Sequence, residues 1–320
     1  MRKRNLLFAT LGALGLAGHS QPRSRPDPAA YNGFDLDGAL VPVAAIERGG
    51  PPRDGIPALD RPRYEAAAAS RLRATDRVLG LVHRGVARAW PVRILNWHEV
   101  VNDRLAGEPV AVTYCPLCGT GMAFDARVAA QAQTRELAFG VSGLLYNSDV
   151  LLYDRATESL WSQLMQTAIS GPLKGTKLAA LALDHTTWAD WYARHPQTDV
   201  LSFETGFSRD YSRDPYAGYE AVARLIFPVQ HSDARMPLKD WVLGLSLGGA
   251  DKAYPFAALA RRVDSSGMLR DRVGGQPVTI RFDAAHRSAR VEDASGRLLP
   301  SVTAFWFAWA AFHPATELFQ

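Results

Sequence analysis

Only two cysteines occur in 320 residues, Cys115 and Cys118, so no disulfide framework holds this fold and any thiol chemistry falls to that one pair. Long apolar runs are missing after the N-terminal segment, which excludes a multi-span membrane protein. Charge of one sign is also missing. Lys+Arg number 36 against 32 Asp+Glu, and Arg2, Lys3 and Arg4 supply three of the cations, leaving 33 against 32 beyond residue 20. The basic residues are dispersed rather than striped, so a nucleic-acid partner is not supported. The glycine-rich spans Gly171 to Gly175 and Gly244 to Gly249 lack the Lys-Ser/Thr ending of a phosphate loop. A hydrolase triad drawn from Ser142, His98 and Asp154 lacks its Gly-x-Ser-x-Gly elbow.

What is present is enough apolar material for a sizeable core, with 47% hydrophobic and 21% charged residues. Residues 1–20 have the layout of a secretory leader: the basic start Arg2-Lys3-Arg4, an apolar run from Leu6 to Ala17, and small Gly18 and Ser20 ahead of Gln21. The expected location is therefore periplasmic or secreted, with no integral membrane domain beyond that segment. Residues 21–75 form a lead-in rich in Pro and Arg, with a short helix expected from Tyr64 to Leu72.

From Asp76 the pattern is ordered. Strands are expected at Arg77 to Val82, Ala87 to Val92, Pro109 to Tyr114, Gly121 to Asp125, Leu137 to Val141 and Val150 to Tyr153. Asn147-Ser148-Asp149 reads as a turn. Ile94, His98, Val101 and Leu105 recur at helical spacing and predict a helix from Ile94 to Leu105. A second helix is expected from His185 to Arg194, and residues 203–238 read as a connecting loop.

The chain also repeats itself. Val78-Leu79-Gly80-Leu81 returns as Val242-Leu243-Gly244-Leu245, and Ala89-Trp90-Pro91 as Ala253-Tyr254-Pro255. Trp188, Trp191, His195, Pro196 and Thr198 return as Trp306, Trp309, His313, Pro314 and Thr316, all offset by 118. The expected fold is α+β, with two related units of mainly antiparallel strands and short helices: 76–202, and a shorter, degenerate copy at 239–320. Features kept in both copies read as scaffold. Features confined to the first are better candidates for chemistry.

The strongest such feature is Thr113-Tyr114-Cys115-Pro116-Leu117-Cys118-Gly119. Three readings compete. As a knuckle at a hairpin tip, the pair supplies two thiolate ligands, with His98 as first choice to join them and His185 and Met122 as further candidates. Thiolates with His or Met suit copper or zinc better than calcium or magnesium. As a thiol–disulfide oxidoreductase, the pair would need a helix N-terminus to lower a thiol pKa, and the alternating Met122 and Phe124 that follow predict a strand instead. As an inert disulfide, the pair would leave a ligand-binding or scaffold protein, although so short a loop gains little from cross-linking. The partner is accordingly a metal ion or an unidentified small molecule.

Around the motif, Asn96-Trp97-His98-Glu99 places His98 on an apolar stripe, with Glu99 expected to orient it and Trp97 beside it. Ser142, Asp154, Arg155 and Trp161 form a polar-aromatic group unique to the first copy. There Asp154 and Arg155 are expected to pin a turn by a salt bridge, and Trp161 to wall a pocket. Together with Pro91-Val92-Arg93-Ile94-Leu95-Asn96-Trp97-His98-Glu99, the cysteine motif, Ser142-Gly143-Leu144-Leu145-Tyr146-Asn147 and Ser159-Leu160-Trp161-Ser162-Gln163, the chain resembles an exported bacterial family, domain-of-unknown-function family 3179. The resemblance runs from about Val78 to Ser202 and more weakly to Val278. It implies no activity and no catalytic residue.

Overall fold

The computed structural model describes residues 25–130 and 133–320, so the leader pattern of residues 1–20 lies outside the described residues. The α+β expectation is overturned. Five of the six described sheets are arranged as a five-bladed β-propeller, the sixth being a two-stranded ribbon of Arg127–Ala130 and Gln133–Glu136, and the only α-helices among the described residues are four of seven residues each. They are α1 (Val92–His98), α2 (Trp188–Arg194), α3 (Phe256–Arg262) and α4 (Trp306–Phe312). No described helix is long and apolar enough to cross a membrane.

Blade I is built on the hairpin Arg77–His83/Val86–Pro91, flanked by Asp184–Thr187 on one side and by Asp199–Leu201 and Tyr64–Ala66 on the other. Blade II is the meander Val100–Leu105, Glu108–Cys115, Thr120–Asp125, closed by Ala179–Leu181. Blade III runs from Ile46–Arg48 through the hairpin Phe139–Tyr146/Asp149–Asp154 to Leu160–Ser162 and Thr167–Ala168. Blade IV combines Trp241–Leu247, Ala250–Pro255, Val302–Phe305 and Glu317–Leu318, and blade V the meander from Met268–Val273 to Leu298–Leu299. The lead-in thus supplies edge strands to blades I and III.

The sequence repeat maps onto equivalent blades, I with IV, and the stretch Asn102 to Val110, which returns as Leu269 to Val278, extends it to II with V. Val78 pairs with Pro91 and Val242 with Pro255 in the same antiparallel register. In both blades the last strand adds in parallel, Val200 opposite Ala89 and Leu318 opposite Ala253. A glycine in the first strand lets an indole lie flat on the sheet: a Cβ on Gly80 would fall 2.3 Å from the Trp191 ring, and one on Gly244 2.1 Å from the Trp309 ring. Each of these indoles donates to a threonine, Trp191 Nε1 to Thr198 Oγ1 at 3.0 Å and Trp309 Nε1 to Thr316 Oγ1 at 2.9 Å. His195 and His313 cap α2 and α4 and stack on those indoles, and the following Pro196 and Pro314 cannot continue a helix. These residues are scaffold in both copies.

Three expected helices are corrected. The one expected from His185 starts at Trp188, because Asp184–Thr187 pairs as a strand with Arg77–His83. Tyr64 to Leu72 is a short strand followed by a single 3-10 turn at Ala67–Ala69. The helix expected to reach Leu105 ends at His98, because Glu99 adopts a left-handed conformation (φ 58°) and the chain leaves as the strand Val100–Leu105. Residues 202–240 contain no helix or strand and cross the blades as a strap. Its Tyr216, Tyr219, Phe227 and Val229 pack on the core that holds both cysteines. Lys239, itself buried, fastens the strap by donating to the carbonyls of Tyr219 (2.7 Å), Val222 (2.5 Å) and Arg224 (3.1 Å).

Candidate metal centre

Two hairpin tips from adjacent sheets build the site. In blade II, Cys115 pairs with Thr120 across the end of the ladder. Between them the chain turns with Cys118 N donating to Cys115 O at 3.2 Å. Gly119 takes φ +63°, where a Cβ would meet Trp241 at 2.7 Å, so glycine is required at this bend. Cys118 O accepts from Phe305 N of blade IV at 2.9 Å, which locks the knuckle in place.

In blade III, Tyr146 pairs with Asp149 around a two-residue turn in which Asn147 and Ser148 both have positive φ, 52° and 61°. This tip is pinned from two sides. Asn147 donates to Ala311 O of α4 and accepts from Gln230 N of the strap, and Ser148 Oγ donates to Phe227 O. The main-chain oxygen of Ser148 therefore faces both sulfurs, 3.7 Å from Cys115 Sγ and 3.4 Å from Cys118 Sγ. The carboxylate of the next residue joins them. Both Sγ atoms and a carboxylate oxygen of Asp149 lie within 4.8 Å of one another, all three residues buried.

The electrostatics are one-sided. Both cysteines are free thiols, 1% and 0% exposed, and burial raises both thiol pKa values, that of Cys118 well above the ordinary range. The neighbouring charges that act most strongly on Cys115 are those of Asp149 and Glu99, and both raise it further. Burial pushes Asp149 up to about 7 although its Oδ2 accepts a bond from Leu164 N at 3.1 Å, and Oδ1 has no hydrogen-bond partner. Burial and the nearby Asp149 push Glu99 up to about 8. Burial thus favours the protonated, uncharged form of both thiols and both carboxyl groups. A nucleophilic thiolate needs the opposite environment, a cation or a helix N-terminus beside it.

His98 is not part of this group. Its ring is fully buried and both nitrogens are committed, Nδ1 with Pro57 O at 2.7 Å and Nε2 with the Tyr211 hydroxyl at 2.6 Å. Burial lowers its pKa to about 4, so it is a neutral bridge between the lead-in and the strap. Glu99 does not orient it either. Glu99 is a left-handed residue after the helix, and its charge acts instead on Asp149 and Cys115.

The other expected residues divide. Met122 is core in the strand after the knuckle, and Trp97 donates to Arg213 O on the strap. Ser142 spends its hydroxyl on the bulge of the blade III hairpin, donating to Leu151 O and accepting from Leu144 N. Asp154 accepts from Thr157 and from Trp161 Nε1 (3.0 Å), whereas Arg155 pairs with Asp60 at 2.7 Å, so no Asp154–Arg155 bridge exists. Trp161 is a core side chain edge-on to Phe139. His185 lies buried between Tyr114 and Trp241, on the outer side of the knuckle. The residue that sequence reasoning missed is Asp149. Its signal was an acid opening the otherwise apolar run Val150-Leu151-Leu152, which the adjacent Asn-Ser turn explained away.

A family model described as "Protein of unknown function (DUF3179)" matches residues 53–316, extending the resemblance through blades IV and V. No curated protein and no solved structure shows significant similarity to the chain.

Proposed function

The chain belongs to this family of unknown function, and from that premise we propose that it is a metal-binding protein whose ion is held by Cys115, Cys118 and Asp149. The observation that carries the reading is the close, fully buried grouping of two thiols and a carboxyl whose Oδ1 accepts no hydrogen bond, with a second buried acid, Glu99, acting on it. Such a volume is unfavourable for any anion and is completed by a cation, which displaces the thiol protons as it binds. Two sulfurs and a carboxylate oxygen suit zinc(II) better than copper(I), because copper(I) prefers an all-soft donor set. Glu99 is a further buried acid whose charge acts on Cys115 and Asp149, and a bound cation would relieve that interaction.

A bound ion would supply Lewis acidity or hold the knuckle rigid. The protein's own residues contribute enclosure: the strap covers the thiols, and the Asn147-Ser148 turn fixes the Asp149 carboxylate against them. The leader pattern points to an oxidising compartment, where two unligated thiols this close form a disulfide. Ligation keeps both reduced and gives an exported protein a reason to retain them. Cobalt(II) provides the test. Stoichiometric addition to the reduced chain is expected to produce thiolate-to-metal charge-transfer absorption, and Asp149→Asn to weaken binding at least tenfold while retaining that band. Absorption that is missing in the parent chain, or binding unchanged in Asp149→Asn, rules the reading out.

A further inference from the structure

Beside the knuckle, a cavity of about 230 Å³ is walled by Pro116 and Gly119 of the knuckle and by Tyr114, His185, Trp241 and Phe305. Two of its polar groups have capacity left for a ligand. His185 is only 4% exposed, yet its Nδ1 has no hydrogen-bond partner, and its ring packs at near right angles to those of Tyr114 and Trp241. Burial holds its pKa well below 6.5, so the ring is neutral and one nitrogen carries a proton that it can donate.

Arg77 is the second. Its guanidinium reaches the same cavity and donates only to main-chain carbonyls, those of His185 (2.8 Å), His286 (2.6 Å) and Arg287 (3.2 Å), with no carboxylate within ion-pair distance. The Arg287 cation lies close enough to act with burial in drawing Arg77 down to about 10. The acids at the rim are already committed. Glu220 pairs with Arg287 at 2.6 Å and accepts from Trp241 Nε1, and Asp214 accepts from Asn96 Nδ2 and Tyr216 N. A half-buried guanidinium with no carboxylate at ion-pair distance and a buried ring nitrogen without a partner therefore line a cavity that also presents the rings of Tyr114, Tyr216, Trp241 and Phe305.

The repeat sharpens the assignment. Arg77 is the first residue of its strand in blade I, and its equivalent in blade IV is Trp241. The equivalent of His185 is Thr303. Neither polar group is kept by the scaffold common to the two blades. Both occur where blade I faces the knuckle.

We propose that this cavity binds a small organic anion, a monocarboxylate on a flat apolar body. Its charge pairs with Arg77, its oxygen accepts from His185, and its body lies against Trp241 and Phe305. Pro116 and Gly119 line the cavity and neither cysteine does, so the site stands whether or not a metal occupies the thiols.

The test is calorimetric titration of the full chain with benzoate and, separately, with inorganic phosphate. Arg77 also ties blade I to blade V, so the Arg77→Gln variant is paired with His185→Phe, which keeps the aromatic volume and removes the donor. Both are checked for parental thermal unfolding. The expected result is saturable benzoate binding with one site per chain, weakened at least tenfold (about 1.4 kcal/mol) by Arg77→Gln and several-fold by His185→Phe, with phosphate binding much more weakly. Three results overturn the proposal: no saturable benzoate binding, phosphate bound in preference to benzoate, or benzoate affinity unchanged in folded His185→Phe.

Discussion

Replacing His98 by Asn removes an imidazole held neutral between Pro57 O and the Tyr211 hydroxyl. Its pKa falls from 6.5 to about 4 on folding, chiefly through burial. A depressed histidine stabilises the folded state above its unfolded pKa, and that stabilisation is lost as pH falls from 6.5 toward 4. The difference of about 2.5 pKa units corresponds to roughly 3 kcal/mol at about 1.4 kcal/mol per unit. The ring is fully buried, so solvent screening removes little of this. Urea unfolding of the parent chain and of His98→Asn, near pH 7 and near pH 4, measures it as a double difference. His185 and the carboxyl groups titrate alike in both proteins and cancel. The parent should lose about 3 kcal/mol more than the variant on acidification, and the variant should bind metal like the parent. Equal losses would show that His98 is not a desolvated neutral bridge, and loss of metal from the variant would return it to the ligand set.

Two further perturbations probe the frame around the site. Gly244→Ala puts a Cβ 2.1 Å from an indole that cannot retreat, since Trp309 is tied to Thr316 and stacked on His313, and the expected cost is about 3 kcal/mol or more in chemical denaturation. A cost near zero would mean the glycine does not serve that close approach. Lys239→Met removes the three bonds that fasten the strap over the knuckle, and metal-free protein should then react with a thiol reagent at least tenfold faster than the parent. An unchanged rate would show that the strap does not gate the sulfurs.

Much of the local structure is legible in the sequence, and the global arrangement is not. The alternation around Val110, Val112 and Tyr114 and the Pro and Gly of the knuckle identify the hairpin that carries the cysteines. The paired Trp, His, Pro and Thr residues identify equivalent packing in blades I and IV. The five-bladed closure escapes notice because each blade is a local meander and the repeat covers only four of the five. Blade III has no counterpart, and its hairpin tip is what brings Asp149 to the thiols. The helical spacing from Ile94 to Leu105 misleads for a physical reason. The strand Val100–Leu105 is largely buried, so its apolar residues continue the helical pattern by coincidence, and only the left-handed Glu99 breaks it. His98 then reads as a ligand because its two true partners, a proline carbonyl and a strap tyrosine, lie 41 and 113 residues away in sequence.

Metal analysis with thiol titration, on full chain isolated without chelator beside a Cys115→Ser/Cys118→Ser variant, tests the central claim most directly. The account predicts one zinc-type ion per parent chain, both thiols reduced, and no ion in the variant. Metal-free parent protein with Cys115 and Cys118 joined in a disulfide, or an ion retained by the variant, would contradict it.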